Sequence, residues 1–418
     1  MIDPLVLFRA VHIAATVLAC GSAVFIVLIA EPAFHAKHSP TDDLPGLRHQ
    51  VNVIIWCALI VSVLAAAGWL VWLSAGIYGA PVITVSLHGG VWTVLADTRF
   101  GQVTIARVAL AAIFAALMMW PAGRLSQIVV AAGLIGLLAF VGHAGATPGT
   151  AGTVHLVSDM VHLCAAAGWL GALPGLVIVL GRARRDPAWK TIATETTQRF
   201  SRLGVLCVVS LLATGIINSW SLLGGPRDLI TTTYGELLLI KIGLFLAMVL
   251  IAALNRVYLT PRLPAAGALR ALQRNSIAET ILGLCTLAIV GVLGTLSPSR
   301  HAHSATADVP ADAAFVHIHT SEAMAEVTLT PGRVGSANAH IRVLRDDFTE
   351  YPAKSVEFTL DPPDGTARLA RAAAHLPDGT WEVNGVDLPK AGVWTVRVII
   401  PAATGRPLVL DGPVEIAP

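Results

Sequence analysis

The hydrophobic positions of this chain form long unbroken runs, unlike the spaced stripes of soluble helices. A helix needs about 20 apolar residues to cross a bilayer. Runs of that length lie near residues 5–30, 51–76, 102–120, 126–142, 154–181, 202–222, 235–258 and 276–297. The pattern predicts eight membrane spans. The first run has no basic leader before it and no small-residue cleavage site after it, so we interpret it as a retained span.

The pattern changes after Pro298. Residues 299–314, SRHAHSATADVPADAA, are small and polar, as in a linker. Short alternating segments follow, AEVTLT, AHIRVL, SVEFTL and WTVRVII, separated by turn signals such as TPGRVG and DPPDG. The predicted fold class is therefore an all-α polytopic membrane bundle of about eight transmembrane helices over residues 1–298, followed by an all-β immunoglobulin-like sandwich over residues 315–418.

Composition supports a multi-pass membrane protein. Of the 418 residues, 55% are hydrophobic and 13% are charged, and the mean hydropathy is +0.71. A net charge of +2 without a basic face argues against a nucleic-acid partner. The cysteines lie inside apolar runs without CxxC spacing, so they are interpreted as core residues: Cys20, Cys57, Cys164, Cys207 and Cys285.

Loop charges predict the orientation. Alternate connections, beginning with the first, carry most of the basic residues: Lys37, Arg48, Arg124, Arg182, Arg184, Arg185, Lys190, Arg199, Arg202, Arg256, Arg262, Arg270 and Arg274. The opposite connections hold few beyond Arg99 and Arg227. Because cytoplasmic loops are enriched in Lys and Arg, we expect both termini and the C-terminal domain to be extracytoplasmic.

Ionisable residues interrupt the fifth run at its predicted outer end. His155, Asp159 and His162 are spaced four and three residues apart, so they share one helix face. His12 in the first span lies at a depth similar to that of His162, and we expect the two rings to meet. His143, in GHAG after the fourth span, would add a ligand near the mouth. Such residues within spans are functional candidates by default.

This combination points to a transition metal. Imidazole suits copper, zinc, iron and nickel, whereas a thioether such as that of Met160 favours Cu(I). Asp159 is either an acceptor that orients an imidazole or a surface-level helix residue. The alternative for the histidines is a hydrogen-bonding role in helix packing. Lys241 is interpreted as a surface partner of Glu236.

The predicted outer domain and its linker contain further histidines. His317 and His319, in HIH, would lie on one face of an extended strand and could form a two-imidazole clip. HAH at residues 301–303 is a second candidate in the linker. The alternative is that both motifs simply face solvent.

Five segments resemble, in order, the later spans of the CopD copper-resistance membrane proteins: GHAGA, VHLCAAAGWLGAL, RFSRLGVLCVVSLLATGIINSW, YGELLLIKIGLFLAMVLIAALNRVYLTPRL and AETILGLCTLAIVGVLGTLSP. The most specific blocks are H-x6-W-L-G (His162, Trp169, Leu170, Gly171), L-x-x-T-G (Leu211, Thr214, Gly215) and K-x13-N-R (Lys241, Asn255, Arg256). The outer domain, with AEVTLTPGRVGSANAHIRV and WEVNGVDLPKAGVWTVRV, resembles the YtkA-like domain fused behind some CopD proteins.

The resemblance implies a copper transport protein, not an enzyme. It would receive a copper ion, Cu(I) or Cu(II), at an outer-leaflet histidine cluster and move it toward the cytoplasm. The family's histidine positions fall on His12, His143 and His162. The expected partners are copper, membrane lipid and a CopC-like extracytoplasmic copper-binding protein. The complete predicted ligand set is His12, His143, His155, His162, Asp159, Met160, His317 and His319.

Two other functions fit parts of the pattern. His12 and His162 at matched depth would also suit the axial ligation of haem in a membrane redox protein, although the sequence offers no second, deeper histidine pair. A copper sensor or assembly factor would bind copper outside and transport none.

Overall fold

The computed structural model describes residues 3–35, 43–120, 123–142, 149–223, 225–296, 310, 312–320, 323–345, 350–363, 368–401 and 407–418. The chain divides into two compact units, a helical one followed by a β one. This confirms the predicted fold class. The domain boundaries at residues 298 and 315 stay predictions.

The helical unit is built from these helices in chain order: α1 Pro4–Val24, α2 Glu31–His35, α3 Leu44–Tyr78, α4 Val82–Leu87, α5 Gly90–Asp97, α6 Arg99–Met119, α7 Arg124–Gly136, α8 Gly149–Leu170, α9 Leu173–Arg185, α10 Lys190–Leu222, α11 Asp228–Thr231, α12 Thr233–Leu254 and α13 Ala266–Leu293. Wider π-helical turns connect α1 to α2 at Phe25–Ala30 and extend α12 over Asn255–Leu259. Short 3-10 turns lie at Leu137–Val141, Pro187–Trp189 and Thr260–Arg262.

Eight helical stretches are long and apolar enough to cross a membrane: Pro4–His35, Leu44–Tyr78, Arg99–Met119, Arg124–Val141, Gly152–Arg185, Pro187–Leu222, Thr233–Arg262 and Ala266–Leu293. They are called the first to the eighth span below. Large apolar side chains such as Leu206, Ile216 and Leu250 are more than half exposed on the bundle surface, where lipid would cover them. The predicted eight-span bundle is confirmed.

Local sequence signals start several helices. Asp3 accepts a hydrogen bond from the Leu5 amide at 2.9 Å, and Pro4 occupies the first turn of α1. Thr98 caps α6 through the Gly101 amide at 3.1 Å. These caps satisfy amides that helix geometry leaves without partners. Helices α4 and α5 were not predicted from the sequence. They lie between the second and third spans and are too short to cross a bilayer.

Glycines bring the first and fifth spans into close contact. A Cβ atom at Gly21 would lie 2.1 Å from the Ala167 carbonyl oxygen and 2.4 Å from the Gly171 Cα. The Ser22 hydroxyl donates to the Gly171 carbonyl at 3.3 Å. Small residues let helix backbones approach in membranes, where van der Waals packing drives helix association. This contact holds α1 against the turn that joins α8 to α9.

The β unit contains two antiparallel sheets. Its strands are β1 Ala314–His319, β2 Met324–Thr330, β3 Gly335–Leu344, β4 Glu357–Asp361, β5 Leu369–Ala372, β6 Ala374–His375, β7 Trp381–Leu388, β8 Gly392–Ile400 and β9 Leu408–Ile416. One sheet has the order β1-β2-β3-β7-β6 and the other β5-β4-β8-β9. Phe358 and Trp394 are buried in the core, and the Trp394 indole donates to the Lys390 carbonyl at 3.0 Å. The four alternating segments identified in the sequence contribute to β2, β3, β4 and β8.

Candidate functional site

The polar face of α8 points into the bundle. His155 is buried, with 2% of its surface exposed, and Asp159 and His162 are half-buried. The opposite face carries Val154, Val157 and Val161, which are 53%, 54% and 44% exposed. His155, Asp159 and His162, called the α8 stripe below, therefore face protein rather than lipid, in the direction expected for ionisable residues within a span.

The sixth span supplies the partners of this stripe. The Nδ1 atom of His162 lies 2.9 Å from the Thr214 hydroxyl on α10, and the Asn218 amide donates to Asp159 at 3.2 Å. The Ser158 hydroxyl, also on α8, donates to the Thr214 carbonyl at 3.3 Å. These hydrogen bonds join α8 to α10. Thr214 lies in one of the family blocks but had no predicted role, and no sequence signal indicated Asn218.

The Thr214 contact determines which ring nitrogen of His162 carries the proton. The Thr214 hydroxyl donates its single hydrogen to the Ser210 carbonyl, 2.6 Å away, so it accepts a hydrogen bond from Nδ1–H of His162. The lone pair of the neutral ring is then on Nε2. A metal-binding histidine needs this arrangement, in which one nitrogen donates to a protein acceptor and the other binds the ion.

Asp159 also interacts with charged residues of two other spans. Arg9 on α1 and Lys241 on α12 both lie within electrostatic range of its carboxylate. Arg9 additionally contacts the Gly294 carbonyl and lies 5.3 Å from the centre of the Trp69 ring. Lys241 is thus within electrostatic range of Asp159. Its expected partner Glu236 is exposed, and the Lys241–Glu236 pairing stays a prediction.

His12 belongs to a separate hydrogen-bonded group. Its Nδ1–H donates to the Ser62 carbonyl at 2.7 Å, and its Nε2 accepts from Arg107. Arg107 also donates to the Leu134 carbonyl and the Thr16 hydroxyl, each at 3.3 Å. Both ring nitrogens of His12 are therefore occupied by protein groups in this conformation.

The predicted ligands are only partly brought together. His12 and His162 have different hydrogen-bond partners, and the expected meeting of the two rings stays a prediction. The Met160 methyl group packs near Gly136, where a Cβ atom would lie 3.3 Å from it. Within the described ranges, no group of three or more His, Cys, Asp and Glu residues could hold a metal ion. His143 lies outside those ranges, and the ligand set stays a prediction.

The β unit places one of its predicted ligands in an ionic group. His317 on β1 faces Glu326 on β2 at 3.6 Å, and Arg342 on β3 lies 3.6 Å from the same carboxylate. The backbone of His319 pairs with Met324, but its side chain and the HAH motif lie outside the described residues. Elsewhere in this unit, hydrogen bonds from the Thr380 side chain and backbone lower the pKa of exposed Asp378.

These features define a multi-pass membrane protein with a polar, histidine-containing face inside its helical bundle. Comparison with family models gives a more specific class. The "Copper resistance protein D-like, N-terminal domain" model matches residues 1–153, and the "Copper resistance protein D" model matches residues 194–293.

Three relatives agree with this result. The chain is 30% identical over 261 residues to the inner membrane protein YebZ of Escherichia coli (strain K12), covering 60% of this chain and 85% of that protein. It is 29% identical over 300 residues to the copper transport protein CutJ of Bacillus subtilis (strain 168), covering 66% and 52%. It is 27% identical over 255 residues to the copper resistance protein D of Pseudomonas syringae pv. tomato, covering 59% and 80%.

The chain belongs to the CopD family of copper resistance membrane proteins. It spans about half the length of CutJ. No solved structure matches it.

Proposed function

We propose that this protein is a copper transporter of the plasma membrane, which receives copper at its outer end and moves it toward the cytoplasm. The observation that carries the proposal is the α8 stripe, whose two histidines and one aspartate all turn into the bundle. Two relatives whose names refer to copper transport and copper resistance support copper as the cargo. We expect no enzymatic activity.

His162 is the best-prepared ligand in the proposed site. Its Nδ1–H bond to Thr214 orients the ring and leaves the Nε2 lone pair for copper. His155, seven residues or about two helical turns closer to the predicted outer end, would supply a second imidazole. Asp159 lies between them on the same face, and its negative charge would attract the arriving cation.

The remaining predicted ligands have supporting places in this proposal. His143 would complete the site from the segment before α8. Met160 would become a thioether ligand for Cu(I) after its side chain turns away from Gly136. His12 would join only when Arg107 leaves its Nε2 atom.

The proposed direction of transport follows from the loop charges. Both termini and the β unit would be extracytoplasmic. The β unit, proposed to be YtkA-like, would present copper through His317 and His319, and a CopC-like protein would be an external partner. Copper would move by ligand exchange, which avoids the cost of placing a bare cation in the bilayer.

Copper stoichiometry in purified protein tests the site. We expect the wild type to retain about one copper per chain, and the double variant His155→Ala, His162→Ala to lose it. The matched control is His49→Ala, which removes an exposed histidine at the opposite end of the bundle. Equal copper retention in the double variant and the control would contradict the proposed site. A Soret band that disappears in the double variant would instead identify a haem protein.

Uptake of copper into proteoliposomes tests transport itself. We expect uptake by the wild type and its loss in the double variant, with uptake by His49→Ala unchanged. Tight copper binding without uptake would exclude the transporter and favour a sensor or assembly factor.

A further inference from the structure

A second polar cluster joins the fifth, seventh and eighth spans. Glu279 accepts a hydrogen bond from the Asn255 amide at 2.8 Å. The Asn255 side-chain oxygen in turn accepts from the Asn275 amide at 2.7 Å. The Trp169 indole at the end of α8 also lies beside the Glu279 side chain. We call these four residues the Glu279 cluster.

The carboxyl group in this cluster is almost fully enclosed. Only 1% of the Glu279 surface is exposed, and its Oε2 atom has no hydrogen-bond partner in the part of the chain that the structure describes. The Asn275 contact turns the Asn255 amide nitrogen, a donor, toward Oε1. An ionised carboxylate buried among neutral groups is costly, whereas a protonated carboxyl group needs much less solvation.

The titratable side chains on α13 and on the elements packed against it either contact groups other than Glu279 or are exposed. On α1, Arg9 contacts the Gly294 carbonyl and Asp3 is exposed. Arg182 and Arg184 of α9 bind Asp43 and Gln273, and Arg185 is exposed. Lys241 and Tyr234 of α12 interact with Asp159, and Glu236 is exposed. In the segment after α12, Arg256 binds Ser201, Arg262 binds the Tyr258 carbonyl, and Tyr258 is exposed. On α13 itself, Arg270 and Arg274 are exposed. On α1, His12 hydrogen-bonds to the Ser62 carbonyl and Cys20 to the Ala131 carbonyl.

Helix α8 connects the Glu279 cluster with the proposed copper site. Trp169 follows His162 by seven residues on this helix, which corresponds to about 10 Å along the axis. A shift or rotation of α8 would therefore change both the His162 site and the indole contact with Glu279. Two sites that share one rigid element can influence each other's occupancy.

We propose that Glu279 is a proton-binding site and that its proton exchanges for copper during transport. The coupling rests on the proposed transport function, but proton binding does not. Glu279 holds one proton while copper is absent from this part of the bundle. When a monovalent copper ion arrives, the carboxyl group releases that proton to bulk water, and the carboxylate that remains balances the charge of the copper ion. A proton rebinds after copper leaves, so one proton is exchanged for each Cu(I).

Infrared difference spectroscopy tests proton binding directly. A protonated carboxyl group has a C=O stretching band that an ionised carboxylate lacks. We expect this band in the metal-free wild-type protein near neutral pH and its absence in Glu279→Gln. The control Glu236→Gln removes an exposed carboxylate near the other end of the bundle and should keep the band. Asn255→Leu, which removes the donor to Oε1, should shift the band's frequency.

The infrared experiment has a clear contrary result. Two results would overturn the assignment of the proton to Glu279. One is a band that is unchanged in Glu279→Gln, and the other is a wild-type spectrum without any band that this substitution removes. Addition of Cu(I) to the wild-type protein should abolish the Glu279 band. Persistence of the band with copper bound would overturn the proposed exchange.

Proteoliposome uptake separates the coupling from transport. We expect copper uptake by the wild type to depend on the pH gradient, and uptake by Glu279→Gln to lose that dependence while copper binding at the α8 stripe is retained. Uptake with the same pH dependence in both proteins would refute the coupling. Absence of uptake by the wild type would refute both transport and coupling, and the infrared result would still decide proton binding.

Discussion

The contact between the first and fifth spans gives the sharpest test of the helical fold. Replacing Gly21 with alanine would put a Cβ atom 2.1 Å from the Ala167 carbonyl oxygen, which is 1.3 Å closer than the 3.4 Å at which ordinary van der Waals contact begins. Both neighbouring groups, the Ala167 carbonyl and the Gly171 Cα, are backbone atoms. They cannot move aside without moving their helix.

We expect Gly21→Ala to destabilise the helical unit by about 1–3 kcal/mol, the usual cost of overpacking a well-packed core. Gly243→Ala is the matched control because it is the same substitution within a span, and a Cβ atom there would meet nothing within 4 Å. Helix propensity favours alanine over glycine at both positions. The difference between the variants therefore reports the helix contact.

Unfolding of the purified protein by SDS titration, followed by tryptophan fluorescence, measures this difference. A midpoint for Gly21→Ala that is well below that of Gly243→Ala is the expected result. Equal midpoints would refute the close approach of the two spans. They would also refute the placement of α1 beside the turn that joins α8 to α9.

Three further substitutions test other parts of the structure. Arg107→Leu should lower the free energy of unfolding by about 1–3 kcal/mol in the same SDS assay because it leaves buried acceptors without a donor. Glu31→Gln should lower it by about 1 kcal/mol, and less at high salt, since Glu31 pairs with partly exposed Arg48 and Arg124. Trp394→Ala should lower the free energy of unfolding of the β unit by about 3–5 kcal/mol. The expected result is rapid proteolysis of that unit in the intact chain, while copper retention persists. Protease resistance equal to that of the wild type would contradict the buried position of Trp394.

Local patterns predicted the spans and the strands. Long apolar runs and period-two alternation are properties of neighbouring residues, so they can be recognised without knowing the tertiary structure. The same reasoning predicted that His155, Asp159 and His162 share a helix face. The apolar pattern did not predict α4 and α5, because these helices are short and lie between two spans.

Contacts between spans could not be read in this way. Matched depth suggested that His12 and His162 meet, but depth says nothing about which helices are neighbours or which way a side chain points. The structure places Arg107 against His12 and Thr214 against His162, two partners that the sequence pattern did not indicate. Glu279 was visible in the sequence as an acidic residue within a span, but its Asn255 partner lies 24 residues away on another helix.

The wide π-helical turn at Asn255–Leu259 has a consequence for motion within the seventh span. Such turns are rare and occur frequently at functional sites. Their hydrogen bonds can be exchanged for the tighter α-helical pattern, and this change shortens or lengthens the local repeat and rotates the side chains beyond it. We expect amide hydrogen exchange to be faster here than in the preceding turns of α12. The seventh span would then act as two segments that can twist relative to each other, with Asn255 at the joint.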